Sequence, residues 1–120
     1  MRIEQTRIVR AVAEMGVELR AGTSLAALTS LGIGGTTDLL RVREHRKLPQ
    51  LISLLKSEGV PFRFLGGGSN LLVADGELPC VMLQLVAGEP EIRLEGNCAL
   101  VDASADLGRM VTFCAKNNLG

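Results

Sequence analysis

Residues 65 to 71 read Leu65-Gly66-Gly67-Gly68-Ser69-Asn70-Leu71, so three consecutive glycines connect two apolar segments. Glycine has no Cβ, and its backbone N–H groups can therefore turn toward one point and be approached closely. Converging N–H groups form a nest that binds anions, and a diphosphate is a common biological anion of suitable size. Ser69 and Asn70 add short polar side chains at the same place. This stretch predicts an anion-binding loop.

Two better-known phosphate-binding motifs do not fit this loop. A P-loop would continue with lysine and then serine or threonine, whereas Gly68 is followed by Ser69 and Asn70. The glycine fingerprint of dinucleotide-binding folds opens a helix, whereas residues 71–74 have the composition of a strand. We therefore expect a strand-to-strand connection. A tight turn without any ligand stays open as the alternative.

A second glycine-rich segment covers residues 29–35 and ends on Ile33-Gly34-Gly35. Three glycines within four residues are incompatible with a helix interior, so we predict a loop that runs from about residue 20 to residue 35. The two glycine-rich loops flank one predicted β-α-β unit. They could therefore close on one extended ligand from two sides.

The predicted β-α-β unit spans Asp38 to Leu65. Its strands cover residues 38–43 and 60–65, and the helix between them covers residues 48–58, with Pro49 in the first turn. A crossover of this length suits two parallel strands. Outside the unit, the sequence predicts a helix over 2–15, strands over 71–74 and 78–85, a hairpin of 91–94 with 99–101, and a helix over 105–117 that Ser104 caps. The predicted class is α+β, with mostly antiparallel strands after the β-α-β unit.

Composition excludes several classes of function. The 120 residues carry 13 basic and 13 acidic side chains, with three Phe and no Tyr or Trp. Balanced charge and few aromatic rings argue against a nucleic-acid partner. No apolar run reaches the roughly 18 residues of a membrane span. The first residues are polar and lack the core of a signal peptide, so we expect a cytoplasmic protein without a membrane partner.

The remaining reactive side chains give no second site. The three cysteines form no C-x-x-C pair and are expected to be packing residues, while His45 is the only histidine. We predict no metal site and assign no catalytic residue. Asp38 and Asp75 are expected to be turn residues or caps. The basic residues Arg41, Arg43, Arg46 and Lys47 are expected to form a solvated face, although they could meet a phosphate.

Two segments resemble the N-terminal half of the UDP-N-acetylenolpyruvoylglucosamine reductase family. Residues 65–76, LGGGSNLLVADG, are close to the family pattern L-G-G-G-S-N-L-L-V-x-D-G. Residues 25–38, LAALTSLGIGGTTD, resemble the pattern L-A-P-H-T-T-F-R-I-G-G-P-A-D, with Ala27-Leu28 in place of Pro-His and Thr36-Thr37 in place of Pro-Ala. The spacing between the segments also fits, so the resemblance covers nearly the whole chain.

The resemblance implies the first part of a FAD-binding domain of the vanillyl-alcohol-oxidase (PCMH) type, with residues 1–20 as a lead-in helix and residues 21–120 as the FAD-binding domain. It implies that Leu65, Gly66, Gly67, Gly68, Ser69 and Asn70 wrap the FAD diphosphate, and that Ile33, Gly34 and Gly35 face the cofactor. In the family, NADPH reduces the flavin, and the flavin reduces UDP-N-acetylglucosamine enolpyruvate to UDP-N-acetylmuramate, a step of peptidoglycan synthesis. The family's catalytic residues match nothing in this chain.

Two other functions stay open: another FAD-dependent oxidoreductase of the same fold, such as a carbohydrate oxidase, or a non-catalytic nucleotide-binding module. The last residues, 116–120, resemble the end of a helix rather than a finished tail, so we expect a fragment. The isolated chain is then expected to be inactive and to bind FAD weakly or not at all. The full-length protein is expected to be a monomer.

Overall fold

A mixed four-stranded sheet organises the first of two units, Met1–Leu85. The computed structural model describes residues 1–68, 71–86 and 90–120. The strands are β1 (Glu18–Ser24), β2 (Thr36–Val42), β3 (Phe62–Phe64) and β4 (Val81–Leu85). Their order across the sheet is β1-β2-β4-β3. β1 runs antiparallel to β2, and β4 runs parallel to both β2 and β3.

The predicted β-α-β unit is present, with one difference in its pairing. β2 and β3 are parallel and are joined through a helix, but β4 lies between them and pairs with both. The crossover therefore passes over β4 and joins two strands that are not direct neighbours. Because the described residues combine this unit with antiparallel pairs and three helices, the predicted α+β class is confirmed.

Two helices cover one face of this sheet, α1 (Thr6–Glu14) and α2 (Leu48–Ser57). Both were predicted, and Pro49 stands in the first turn of α2, where its missing N–H costs nothing. None of the helices within the described ranges has the length and apolar character that crossing a membrane requires. The helices and the sheet enclose one core, formed by Ile8, Val12, Val17, Leu40, Val42, Leu51, Leu55, Val60, Val81 and Leu83.

The opposite face of the sheet is covered by the glycine-rich loops. A 3-10 turn at Leu25–Leu28 and parts of residues 65–80 supply the covering side chains. A second core lies beneath them and contains Leu25, Leu39, Leu65, Val73 and Met82. Since successive residues of a strand alternate between faces, Leu39 and Leu40 belong to different cores.

The prediction of a loop from residue 20 to residue 35 was wrong at its start, where β1 forms. Gly22 resembles a loop signal, but it occupies a bulge in β1, where the pairing shifts between Arg20 and Thr23. Asp38 lies opposite this bulge, and its buried carboxylate accepts hydrogen bonds from the backbone N–H groups of Gly22 (2.8 Å) and Ile3 (2.7 Å). Asp38 is therefore a buried strand residue, not the predicted turn residue or cap.

The prediction of a strand over residues 71–74 was also wrong. Burial nevertheless alternates along the segment, since Val73 is 9% exposed and Leu72 is 73% exposed. The backbone forms only isolated bonds there, such as the one from the Gly35 N–H to the Ala74 carbonyl (2.8 Å). Packing against the second core thus fixes this segment without a ladder of hydrogen bonds.

The second unit, Val86–Gly120, contains the predicted hairpin and final helix. β5 (Ile92–Glu95) pairs antiparallel with β6 (Cys98–Val101), and α3 covers Leu107–Lys116. The predicted cap, Ser104, is not the capping residue. Asp106 caps α3 instead, by accepting a hydrogen bond from the Gly108 N–H (2.6 Å). The predicted domain boundary at residue 20 stays a prediction.

Candidate anion-binding site

The glycine-rich loop begins where β3 ends. Leu65 is 4% exposed and its N–H donates to the Leu83 carbonyl (2.8 Å), which extends the pairing between β3 and β4 by one residue. Gly66 and Gly67 follow and are exposed. In open sheets with parallel strands, ligands bind outside the carboxyl ends of those strands, which is where these two glycines lie.

The N–H groups of Gly66, Gly67 and Gly68 donate to no other residue in the described parts of the chain. Exposed backbone donors of this kind can turn toward an anion, whereas donors already bound within the fold could not do so without a rearrangement. Ser69 and Asn70, which the sequence also assigns to this site, lie outside the described residues. The described loop therefore offers up to three donors.

Gly66 and Gly67 have open space where a side chain would begin. A Cβ built on either residue would have no described atom within 4 Å, and neither residue has a positive φ. The described part of the fold thus gives no steric reason for glycine at these positions. Open space above two unbonded N–H groups is the arrangement that a diphosphate needs for close approach.

Gly68 differs from these two glycines because the fold itself requires it. Its φ is +76°, and a Cβ would lie 2.0 Å from the Leu28 carbonyl oxygen. Its own carbonyl accepts a hydrogen bond from the Ser30 N–H (3.1 Å), which joins the first glycine-rich loop to the second. The absence of a side chain at Gly68 serves the packing between these loops.

The second loop contains two further glycines that are required by close packing. A Cβ on Gly35 would lie 1.7 Å from the Gly76 carbonyl oxygen, and one on Gly34 would lie 3.0 Å from the Cβ of Val73. The Gly35 N–H is bound to Ala74, so it is not free for a ligand. Ile33, by contrast, is 49% exposed. The loops are adjacent, as the sequence suggests, and the assignment of Ile33, Gly34 and Gly35 to a cofactor stays a prediction.

A polar cluster lies on the same face of the sheet as the loops. The guanidinium of Arg41 donates to Glu18 (3.1 Å, from Nη1) and to Gln84 (3.2 Å, from Nε), and Arg20 also donates to Glu18 (2.8 Å). The hydrogen bond from Arg20 and the positive charges of both arginines lower the pKa of Glu18 below its ordinary value. Sequence reasoning placed Arg41 in a basic, solvated face that could meet a phosphate, but it did not identify the partners of Arg41, because they lie far away along the chain.

No family model matches the chain, but individual proteins do. It is 46% identical over 71 residues to the UDP-N-acetylenolpyruvoylglucosamine reductase of Myxococcus xanthus, which covers 58% of this chain and 23% of that protein. The enzyme of the same name from Corynebacterium diphtheriae is 33% identical over 98 residues, or 81% of this chain and 26% of that protein. This chain is homologous to part of the UDP-N-acetylenolpyruvoylglucosamine reductases.

A solved reductase structure agrees with this relationship. The crystal structure of the UDP-N-acetylenolpyruvylglucosamine reductase from Thermus caldophilus matches 84% of this chain and 34% of its own length, with a TM-score of 0.57 and 29% identity. The reductase of Geobacter sulfurreducens, at 32% identity, matches 92% of this chain and 37% of its own length. The chain therefore spans between 23% and 37% of the length of these reductases, and the resemblance inferred from the two glycine-rich segments is confirmed.

Proposed function

We propose that this chain supplies the FAD-binding part of an NADPH-dependent reductase that converts UDP-N-acetylglucosamine enolpyruvate to UDP-N-acetylmuramate in peptidoglycan synthesis. The observation that carries the proposal is the pair Gly66 and Gly67, whose N–H groups bind no described residue and whose outer side is open. The homology to the reductases supplies the reaction. The proposal includes a cytoplasmic location and a monomeric full-length protein.

The described residues fit the diphosphate of FAD. Gly66 and Gly67 would donate their N–H groups to its oxygens, as the geometry of an anion nest requires. Leu65 and Gly68 hold the two ends of this short segment, through Leu83 and Ser30 respectively. Ser69 and Asn70 complete the loop in the sequence, and we keep them as proposed contacts. The bound flavin would supply the hydride-transfer chemistry.

The part that we propose for this chain is binding and orientation. No described group of three or more His, Cys, Asp or Glu side chains is arranged to hold a metal ion. We assign no residue of the chain to proton transfer, and Ser69 is proposed as a phosphate contact only. The catalytic acid and the residues that bind the sugar nucleotide would come from the part of the reductases that this chain does not match.

An NMR titration of the isotope-labelled chain with FAD tests the proposal. We expect weak binding in which the amide resonances of Gly66 and Gly67 move most. The variants Gly66→Ala and Gly67→Ala should weaken binding by about tenfold, because the new methyl group holds the diphosphate away from the N–H groups. Gly120→Ala is the matched control, since that glycine also has open space around its Cβ position and no positive φ.

The outcome separates the proposal from its alternatives. If FAD and pyrophosphate leave the resonances of residues 65–68 unchanged at millimolar concentration, the loop is a structural turn and the proposal is wrong. If the chain binds FAD but a longer protein containing it does not oxidise NADPH in the presence of the enolpyruvyl sugar nucleotide, the chain belongs to a different flavoenzyme. The first result concerns the site and the second concerns the reaction.

A further inference from the structure

Glu18, Arg41 and Gln84 form a row across three strands of the sheet. Glu18 and Arg41 are cross-strand partners of β1 and β2, and Arg41 is the partner of Gln84 in β4. Leu39 and Met82 belong to the core beneath the glycine-rich loops. Arg41 and Gln84 lie two residues further along the same two strands. Because side chains alternate along a strand, the row lies on the loop-covered face.

This row continues toward the start of the glycine-rich loop. The Leu65 N–H donates to the Leu83 carbonyl, so the register of β3 and β4 brings residue 65 beside Gln84. Neighbouring strands are about 4.8 Å apart, which puts the backbone of Arg41 about 10 Å from that of Leu65. At a separation of about 10 Å, which is about one Debye length at 0.1 M ionic strength, the charge of Arg41 would still attract an anion held at Gly66.

The cluster carries more positive than negative charge. Two arginines, Arg20 and Arg41, share the single carboxylate of Glu18 (3.1 Å to Arg41), and Gln84 is neutral. The side chain of Arg41 is only 17% exposed, so solvent screens its charge less than that of a surface arginine. A guanidinium has five N–H donors, and two bonds to described side chains leave others for a ligand.

We propose that Arg41 is a binding residue for the anionic ligand of this loop: its guanidinium, oriented by Glu18 and Gln84, supplies the positive charge that the backbone N–H groups of Gly66 and Gly67 lack. The inference rests on the proposed function, because it takes the ligand to be a dinucleotide with a diphosphate. The N–H groups would fix the position of the diphosphate, and Arg41 would neutralise part of its charge. Neutral donors and a nearby fixed cation together bind a diphosphate more tightly than either does alone.

The test measures the affinity of the chain for inorganic pyrophosphate and for ADP by NMR titration, at several salt concentrations. Arg41→Gln should weaken the binding of both probes about fivefold and make it less dependent on salt, since one cation is lost. Arg7→Gln is the matched control. Arg7 forms an ion pair with Glu58 and belongs to α1, on the helix-covered face, so its removal should leave both affinities unchanged.

Glu18→Gln separates a charge effect from a structural one. Glutamine keeps an oxygen that can accept the hydrogen bond from Arg41 and removes only the negative charge, so if Arg41 binds the anion, its charge is less compensated and the affinity for pyrophosphate should rise at least twofold. If the row only holds the strands together, the same variant should weaken binding or leave it unchanged, and either result overturns the inference even where Arg41→Gln fails to fold.

The two proposals fail in different ways. Equal affinity of the wild-type chain and Arg41→Gln, together with shifts at Gly66 and Gly67, overturns the role of Arg41 and leaves the glycine site in place. Absence of any pyrophosphate or ADP binding by the wild-type chain overturns both proposals.

Discussion

Gly68 and Ser30 join the two glycine-rich loops through a backbone hydrogen bond of 3.1 Å. The bond brings Gly68 so close to Leu28 that the position has no room for a side chain. A run of three identical residues therefore contains two kinds of glycine. Gly68 is required by the fold, whereas Gly66 and Gly67 have open space around them. Alanine substitutions at these positions should therefore have different effects on stability.

Gly68→Ala should destabilise the first unit by about 3 kcal/mol, because the new methyl group would overlap the Leu28 carbonyl and because φ is positive. Gly35→Ala should behave similarly, since its Cβ would meet the Gly76 carbonyl oxygen. Urea denaturation followed by circular dichroism measures the loss. Wild-type stability in either variant would mean that these close backbone contacts do not form.

Gly66→Ala and Gly67→Ala should have the opposite effect on stability. Each should leave the free energy of unfolding unchanged or raise it by about 0.5 kcal/mol, because alanine restricts the unfolded chain more than glycine does. The same denaturation experiment applies. A loss above about 1 kcal/mol in these variants would indicate an unfavourable contact that the open space around both residues does not predict.

Asp38→Ala should be strongly destabilising. The change leaves the N–H groups of Ile3 and Gly22 without their buried carboxylate acceptor and removes the ion pair with Arg2, for an expected loss of about 3 kcal/mol. Asp75→Ala is the control, since Asp75 is exposed, and it should change stability by less than about 0.5 kcal/mol. Equal stabilities of the two variants would contradict the role given to Asp38.

Glu18 should make stability depend on pH in the acid range. Its pKa is lowered in the folded chain from an ordinary value of 4.5, chiefly by Arg20. The folded state therefore favours the charged form, and the contribution is complete above pH 4.5 and is lost as the pH falls through the lowered pKa. Glu18→Gln should flatten this part of the curve of stability against pH. The effect should shrink in high salt, because Glu18 is accessible to solvent.

Asp106→Ala should reduce the helicity of the second unit. Asp106 accepts a hydrogen bond from the Gly108 N–H at the start of α3, and the loss of such a cap costs about 1 kcal/mol. Asp106→Asn keeps an acceptor and should retain most of the helix, whereas Ser104→Ala should have a smaller effect than Asp106→Ala. The chemical shifts of residues 107–116 report the helix directly. A larger loss of helicity in Ser104→Ala than in Asp106→Ala would show that Ser104 is the capping residue.

Local patterns in the sequence predicted the local features of this fold. The spacing of Ile8 and Val12 indicates α1, and Pro49 marks the start of α2. The apolar run of residues 71–74 predicted a strand that does not form, because burial of Val73 on one side does not require a paired neighbouring strand. β1 was missed because Gly22 at a bulge resembles the glycine of a loop.

Relationships between distant residues could not be predicted in this way. Arg41 lies 23 residues from Glu18 and 43 residues from Gln84, and only the order of the strands brings the three together. The strand order itself, with β4 between β2 and β3, cannot be inferred from any local sequence pattern. The difference between Gly67 and Gly68 depends on the proximity of Leu28, which lies 40 residues before Gly68 in the sequence.

The segment from Leu65 to Gly68 is fixed at both of its ends, to β4 by one hydrogen bond and to the second loop by another. Only two residues lie between these anchors, so few backbone rotations remain for a ligand to restrict. Most of the conformational entropy of Gly66 and Gly67 is therefore lost when the chain folds, rather than when an anion binds. The core below the loop, which contains Leu65, Leu39 and Met82, would thereby also contribute to the proposed affinity for an anion.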